Sequence, residues 1–344
     1  MRDRLMGGMG AMRVVVLFLG IVVLGVATLA AAGCAALTPA TDGPSPSGLP
    51  VIRYVNFKVY DPVYVALERG FFEQRGVRVE IVGDVLGGPT AIQAVASGSV
   101  QAGLSSLPAL INATTSGLPV VGVSDIQSAI GDQPLEEYFV RADSDIQTIG
   151  DLRGRAVAVN LWRSSFHYTL LMALEQAGVP EAEVEFRLLS FDHQIPALEQ
   201  GQVDVIGLME PYASMARTHY QDQFRRLFTA LDVFGEKQFT THFVNRDWAE
   251  QHPESVRAFV GGVVEAIAWI EANPDAARPI IARYTGIEER YIPAYHFQPD
   301  GRVVMEDVRF WLDYMVQRGD VEASALTPEH IATNRFNAAV TGDE

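Results

Sequence analysis

The chain writes one pattern twice. Residues 198–211, LEQGQVDVIGLMEP, echo residues 95–108, VASGSVQAGLSSLP: a helical run stops at a glycine, a valine follows two positions later, and a proline closes the segment ten positions after the glycine. Gly98 and Gly201, Val100 and Val203, and Pro108 and Pro211 are each 103 positions apart. A helix, a glycine suited to a left-handed terminus, a strand and a loop at that strand's carboxyl end make the basic unit of an α/β sheet. Two such units predict two similar α/β halves; the alternative is the chance recurrence of a common unit. Open α/β sheets bind ligands beyond the carboxyl ends of their strands, so two facing halves would enclose a cleft.

The flanking segments keep the same rhythm. VIRYVNF reads as a strand, DPVYVALERGFFEQRG as a helix with Tyr64, Leu67 and Phe71 on one face, and VRVEIV as a second strand. A Gly87-Gly88-Pro89 loop then opens a helix, because proline fits the first helical turn. The second half runs through the strand of DLRGRAVAVN, a helix with Phe166, Leu170 and Leu174 on one face, and the strand VEFRLLSF. A strand after Phe239 leads to a long helix with Phe259, Val263, Ile267 and Ile270 on its core face, and EDVRFWLDYMVQRG gives a further amphipathic helix. No glycine-serine linker separates the halves, so extended crossings are expected near residues 138–141 and 240–245, with the C-terminal helices packed back on the first half.

A length of 344 residues with 48% hydrophobic content gives room for two cores. The first 33 residues are set apart. A basic leader with Arg2, Arg4 and Arg13 precedes a 20-residue apolar run, residues 14–33, and small residues lead into Cys34. This reads as a lipoprotein-type export signal with Cys34 acylated, although Ala31 stands where such signals carry a leucine; an uncleaved membrane anchor is the alternative, since the run is long enough to span a bilayer. Residues 34–50, rich in Pro, Ser, Thr and Gly, read as a flexible tether. The formal charge of −16, more negative still without the leader, excludes nucleic acid and anionic lipid surfaces as partners of the body. Cys34 is the sole cysteine, so no internal disulfide, no thiolate catalysis and no cysteine-ligated metal is available to the body. The seven histidines show no HxH or HExxH spacing, and neither a metal nor a cofactor is expected.

Five segments in order, PVYVALERGFFEQRGVRVEIV, GGPTAIQAVASGSVQAGLSSLP, DSDIQTIGDLRGRAVAV, RSSFHYTLLMALEQAGV and EQGQVDVIGLMEPY, resemble the extracytoplasmic solute-binding proteins of ABC importers. The resemblance is to the nitrate, sulfonate, taurine and thiamine-pyrimidine-precursor group and spans residues 51–277. It implies a two-lobed periplasmic-binding-protein fold, type II-like, that closes over a small solute and delivers it to a membrane permease and its ATPase. The expected organisation is a signal (1–33), a tether (34–50), lobe 1 (51–140 with 241–344) and lobe 2 (141–240), held outside the cytoplasm as a lipid-anchored monomer.

The same resemblance carries ligand-binding positions onto this chain. In the first lobe they are Asn56, Lys58, Tyr60, Tyr64, Gly88, Thr90, Ser105 and Ser106, and in the second Trp162, Arg163, Ser164, Ser165, His167, Asp192, His193 and Glu210. Helix starts near Thr90 and Ser165 suit an anionic or acceptor-rich group. The aromatics Phe57, Tyr60, Tyr64, Trp162, Phe166 and Phe191 suit a flat heterocycle, while Asp192 and Glu210 would accept from ring N–H or amine groups. The solute class therefore stays open between a sulfonate or taurine and a pyrimidine-like ring. A sensor subunit using the same cleft is the rival reading. An enzyme on this scaffold is the remaining one, and no GxSxG, Walker or GxGxxG motif supports it.

Overall fold

A computed structural model describes residues 48–85, 87–322 and 326–340. The expected export segment, Cys34 and most of the tether lie outside them. The first stretch runs β1 (Val51–Asn56), α1 (Pro62–Arg69), α2 (Phe71–Gln74), β2 (Arg78–Asp84), α3 (Gly88–Ala96), β3 (Ala102–Ser106), α4 (Leu107–Thr115) and β4 (Val120–Ala129). The second runs β5 (Glu137–Arg141), β6 (Ala156–Val159), α5 (Ser165–Gln176), β7 (Glu185–Leu188), α6 (Phe191–Glu199), β8 (Val205–Leu208), α7 (Tyr212–Thr218), β9 (Phe224–Thr229) and α8 (Ala230–Phe234). The chain then returns through β10 (Lys237–Asn245), α9 (Arg246–Gln251), α10 (Pro253–Ala272), α11 (Pro274–Thr285), α12 (Met305–Gln317) and α13 (Pro328–Ile331).

The strands form two five-stranded sheets of matching topology, β2-β1-β3-β10-β4 and β7-β6-β8-β5-β9. In each, the first three strands are parallel and the fourth runs antiparallel to both neighbours. The repeated pattern in the sequence thus supplies α3 and β3 to one sheet and α6 and β8 to the equivalent places in the other. Both glycines at the helix ends take the left-handed conformation, Gly98 at φ 75 and Gly201 at φ 65, where any other residue is strained. The 103-residue offset extends well beyond the echo: α1 and α5 start at 62 and 165, and α3 and α6 start at 88 and 191.

The crossings differ from expectation. Residues 138–141 lie within β5, paired in the second sheet, and residues 240–245 lie within β10, paired in the first. The chain passes between the sheets at residues 130–136 and 235–236 instead. A strand that enters a sheet antiparallel, between two strands of distant sequence, carries no local mark separating it from an extended linker.

Each half is closed by helices whose apolar stripes meet its sheet. Asp61 caps α1 by accepting from Val63 N at 2.9 Å, Pro62 begins the helix, and left-handed Gly70 ends it. On α10 the stripe of Phe259, Val263, Ile267 and Ile270 is fully buried, each side chain worth about 1.5–3 kcal/mol of burial. Helices α10 and α11 cover α1, and α12 and α13 cover α4, so the C-terminal helices return to the first half as expected. The polar centre of that half is also organised by Asp61. Its carboxylate accepts from Tyr54 Oη at 2.5 Å and lies 3.0 Å from His242 Nε2, whose Nδ1 is 2.9 Å from Ser124 Oγ. All four side chains are fully buried, so β1, α1, β10 and β4 are tied at one point.

Removing one member of such a network leaves its partners buried without hydrogen bonds. Asp61→Ala is expected to destabilise the fold by about 3–5 kcal/mol, and Asp61→Asn by less, in urea denaturation. Equal midpoints for Asp61→Ala and the parent would show that the network carries no stability.

Candidate ligand cleft

The carboxyl ends of β1 and β3 face those of β6 and β8, and a cavity of about 20 Å³ lies between them. The first half lines it with Phe57, Gly88, Pro89, Leu104, Ser106 and Thr240, the second with Leu135, Glu136, Asn160, Ser164, Ser165, Phe166 and Met209. Equivalent positions contribute from both sides. Phe57 and Asn160 follow β1 and β6, and Ser106 and Met209 stand at the ends of β3 and β8, each pair 103 residues apart. Thr240 pairs with Ser106 across β10 and β3, and Glu136 sits one step beyond the pair of Glu137 with Leu208. The two crossing strands therefore form the floor.

The halves touch around the cavity. Phe57 and Phe191 rings lie 6.0 Å apart, and Tyr60 N donates to the Glu210 carbonyl at 3.4 Å. The start of α3 reaches β3 so closely that a Cβ on Gly88 would stand 2.1 Å from Ser105 Oγ, which leaves only glycine at that place. A volume of about 20 Å³ admits a water and no ring, so a solute enters only when the walls part.

Glu136 dominates the electrostatics of the cavity. It is 1% exposed, Oε2 accepts from Tyr138 Oη at 3.4 Å, and Oε1 has no partner. Burial pushes its carboxyl up to about 7, with the Ser165, Thr169 and Tyr138 hydroxyls pulling it partly back. Of the three hydroxyls, only that of Tyr138 stands in hydrogen-bonding geometry. Leu135 before it adopts a left-handed backbone, φ 59, a strain of order 1 kcal/mol or more that its own burial sustains. Side chains alternate beyond this turn: Glu136 lines the cavity, while Glu137 pairs with Arg217 and Arg226 on the opposite side.

The NMT1/THI5-like family matches residues 58–277. The chain belongs to that family. Among its relatives, the riboflavin-binding protein RibY of Chloroflexus aurantiacus is 26% identical over 87% of this chain and 85% of its own. The taurine-binding periplasmic protein of Escherichia coli is 29% identical over 60% of this chain and 64% of its own. The crystal structure of the periplasmic aliphatic sulphonate-binding protein SsuA from Escherichia coli superposes with a TM-score of 0.67, covering 83% of this chain and 98% of that one, at 23% identity. The expected two-lobed α/β fold of periplasmic binding proteins is thereby shown.

Within this NMT1/THI5-like protein, the positions read from sequence divide into three groups. Gly88, Ser106, Ser164 and Ser165 line the cavity, and Ser105 is buried just behind Gly88 with its hydroxyl unpartnered. A second group is committed to internal contacts. Asn56 holds Asp84, Lys58 N and the Tyr64 hydroxyl, and Lys58 pairs with Asp84 at 2.6 Å. Tyr60 stacks on Tyr295 and Tyr64 on Tyr284. The Glu210 carboxylate accepts from Ser214 N at 3.1 Å and from Arg217 Nη2 at 2.6 Å, away from the cavity lining. His167 is buried beside Trp162 and Phe186, and burial first, then the nearby Arg318 charge, depress its pKa to about 4.

The third group is exposed. Thr90 lies on the outer side of α3, and Asp192 and His193 both meet Ser190 Oγ in the first turn of α6. Trp162 and Arg163 stand at the cleft rim. Glu136, Asn160, Thr240, Leu135, Leu104 and Met209 were not expected. Asn160 and Met209 were findable, because they are the 103-residue partners of Phe57 and Ser106.

In the unfolded chain Glu136 ionises near its ordinary value of 4.5, but in the fold it stays neutral up to about 7. Stability from this group is complete below pH 4.5 and is lost as pH rises through 7. Glu136→Gln removes that component, so the parent should lose about 2–3 kcal/mol more than the variant between pH 4.5 and pH 8. Asp125, also raised to about 7 by burial, gives both proteins a common background slope. Parallel stability profiles in chemical denaturation would place Glu136 in a solvated setting.

Proposed function

We propose that the chain is the solute-binding component of an ABC importer and that its solute is a flat heterocycle bearing hydrogen-bond donors, with riboflavin as the leading candidate. The observation that carries this is Glu136, which lines the cavity with a buried carboxyl whose Oε1 has no hydrogen-bond partner. Above about pH 7, where Glu136 is ionised, a sulfonate placed there would bring a second negative charge into a poorly solvated space, whereas a ring N–H can donate to the open Oε1. The helix starts favour acceptors, but Glu136 lines the same cavity as Ser165 at the start of α5, so that start already has a carboxyl beside it. Similarity to the riboflavin-binding relative over most of both chains supports the same class.

The mechanism follows from the topology. Two halves joined by short crossings can part and close, and a solute touching both favours the closed form by its differential contacts. Thr240 and Ser106 from one side and Asn160 and Ser165 from the other supply polar groups for ring carbonyls, and Phe57 and Phe166 supply apolar walls. Delivery to a permease, an extracytoplasmic location and attachment through acylated Cys34 complete the reading. A binding role is preferred to an enzymatic one because the cavity presents a hydrogen-bonding carboxyl, flanked by hydroxyls, with no activated nucleophile beside it.

Thermal unfolding and titration calorimetry test the proposal. Riboflavin should raise the melting temperature, with taurine and alkanesulfonates giving no shift. Its affinity should fall as pH drops below about 7, because protonation of Glu136 replaces a charged acceptor by a weaker neutral one, and Glu136→Gln should weaken binding at least tenfold and abolish that pH dependence. Stabilisation by taurine or a sulfonate but not by riboflavin would overturn the assignment of solute class.

A further inference from the structure

Immediately outside the cavity the two halves wall a second and larger space. This groove, about 340 Å³, runs between Pro89, Ile92, Asn112 and Ala113 of the first half and Trp162 and Arg163 of the second. The two spaces share one lining residue, Pro89. Three consecutive residues step from inside to outside: Asn160 lines the cavity, Leu161 packs against Gly87, and Trp162 walls the groove. That side chain sits tightly over the glycine, because a Cβ on Gly87 would lie 2.4 Å from Leu161 Cδ1.

Trp162 is 46% exposed, while Phe166 and Phe191, in the first turns of α5 and α6, are buried. Its ring is nevertheless held. It meets His167 edge-on at 4.8 Å and 90°, and it lies 5.4 Å from Phe186. Arg163 follows in a left-handed conformation, φ 60, and its Nη1 reaches Asn112 Oδ1 of the other half at 3.4 Å. The groove is thus built from both halves and exists as a unit only when they are together. An oriented, solvent-facing indole beside a polar rim is a stacking platform rather than part of a core.

We propose that this groove is the outer half of the ligand site: a fused planar ring system lies against Trp162, and its donor-bearing edge reaches Glu136 once the Leu161 side chain turns aside. The inference rests on the reading of Glu136 as the acceptor for a ring edge, and it adds that the solute is longer than a single ring. The inner cavity offers about 20 Å³ and the outer groove about 340 Å³, so the edge and the body of such a molecule have separate places.

Two probes separate the parts. Riboflavin carries a pyrimidinedione edge on a fused tricycle, and uracil carries the same edge with no extension. Calorimetric titration of the full chain should show riboflavin binding weakened at least about tenfold by Trp162→Ala and largely restored by Trp162→Phe, with the weaker uracil affinity unchanged by either. Glu136→Gln should weaken both ligands. The free Trp162→Ala variant should stay folded and melt within a few degrees of the parent, since nearly half of the side chain is at the surface. Riboflavin affinity within twofold of the parent in Trp162→Ala, or an equal loss for uracil, would overturn the groove while the Glu136 reading stands. If neither probe binds the parent chain, or if Glu136→Gln leaves riboflavin affinity unchanged, the Glu136 reading fails and the proposal fails with it.

Discussion

Two antiparallel strands, β5 and β10, set the geometry on which the cleft depends. Each occupies the fourth position of a sheet whose other inner strands are parallel, and each is reached by a crossing from the opposite half. Their ends and their approaches therefore lie where the halves meet. Glu136 enters the cavity because it precedes β5, and Thr240 because it pairs with Ser106 in β10. The polar network of Asp61, His242 and Ser124 anchors β10 from below, so the position of the floor is fixed by buried hydrogen bonds as well as by strand pairing.

The site combines rigid elements with stored backbone strain. Lys58, Leu135 and Arg163 are the non-glycine residues with positive φ among the described residues, and each stands next to a cavity residue: Phe57, Glu136 and Ser164. Left-handed backbone at such residues persists only where the surroundings over-determine it. Packing supplies that determination for Leu135, the Asp84 ion pair for Lys58, and the Asn112 contact for Arg163. The chain turns sharply at three points around the cavity and presents chemically distinct side chains to it within a few residues.

Much of this was legible before the structure. Punctuation by Gly98 and Gly201 located the equivalent units, and apolar spacing gave the buried face of α10. Side-chain direction was not legible. Glu210 closes the second copy of the repeated pattern, yet its carboxylate turns to Arg217. Asp192, a position supplied by the resemblance, lies in the first turn of α6 and meets Ser190 at the surface instead. Glu136 was hidden because PLEEY belongs to neither periodicity: its importance comes from the left-handed turn at Leu135 and from a crossing whose end only the sheet pairing defines. Carrying the offset of 103 through the whole half, rather than through one segment, would have paired Asn160 with Phe57 and Met209 with Ser106 from sequence alone.

The exchange of central strands also bears on how the molecule could be divided. A fragment ending after β4 would contain β1 to β4 in order, yet β3 and β4 would flank an empty lane where β10 belongs. The apolar faces of Phe239 and Phe243 would be missing from it, and two rows of backbone amides and carbonyls would be left open side by side. The halves are thus separate as binding surfaces and inseparable as folding units. A split version of this protein would have to be cut within the helices or loops of one half, never between the two.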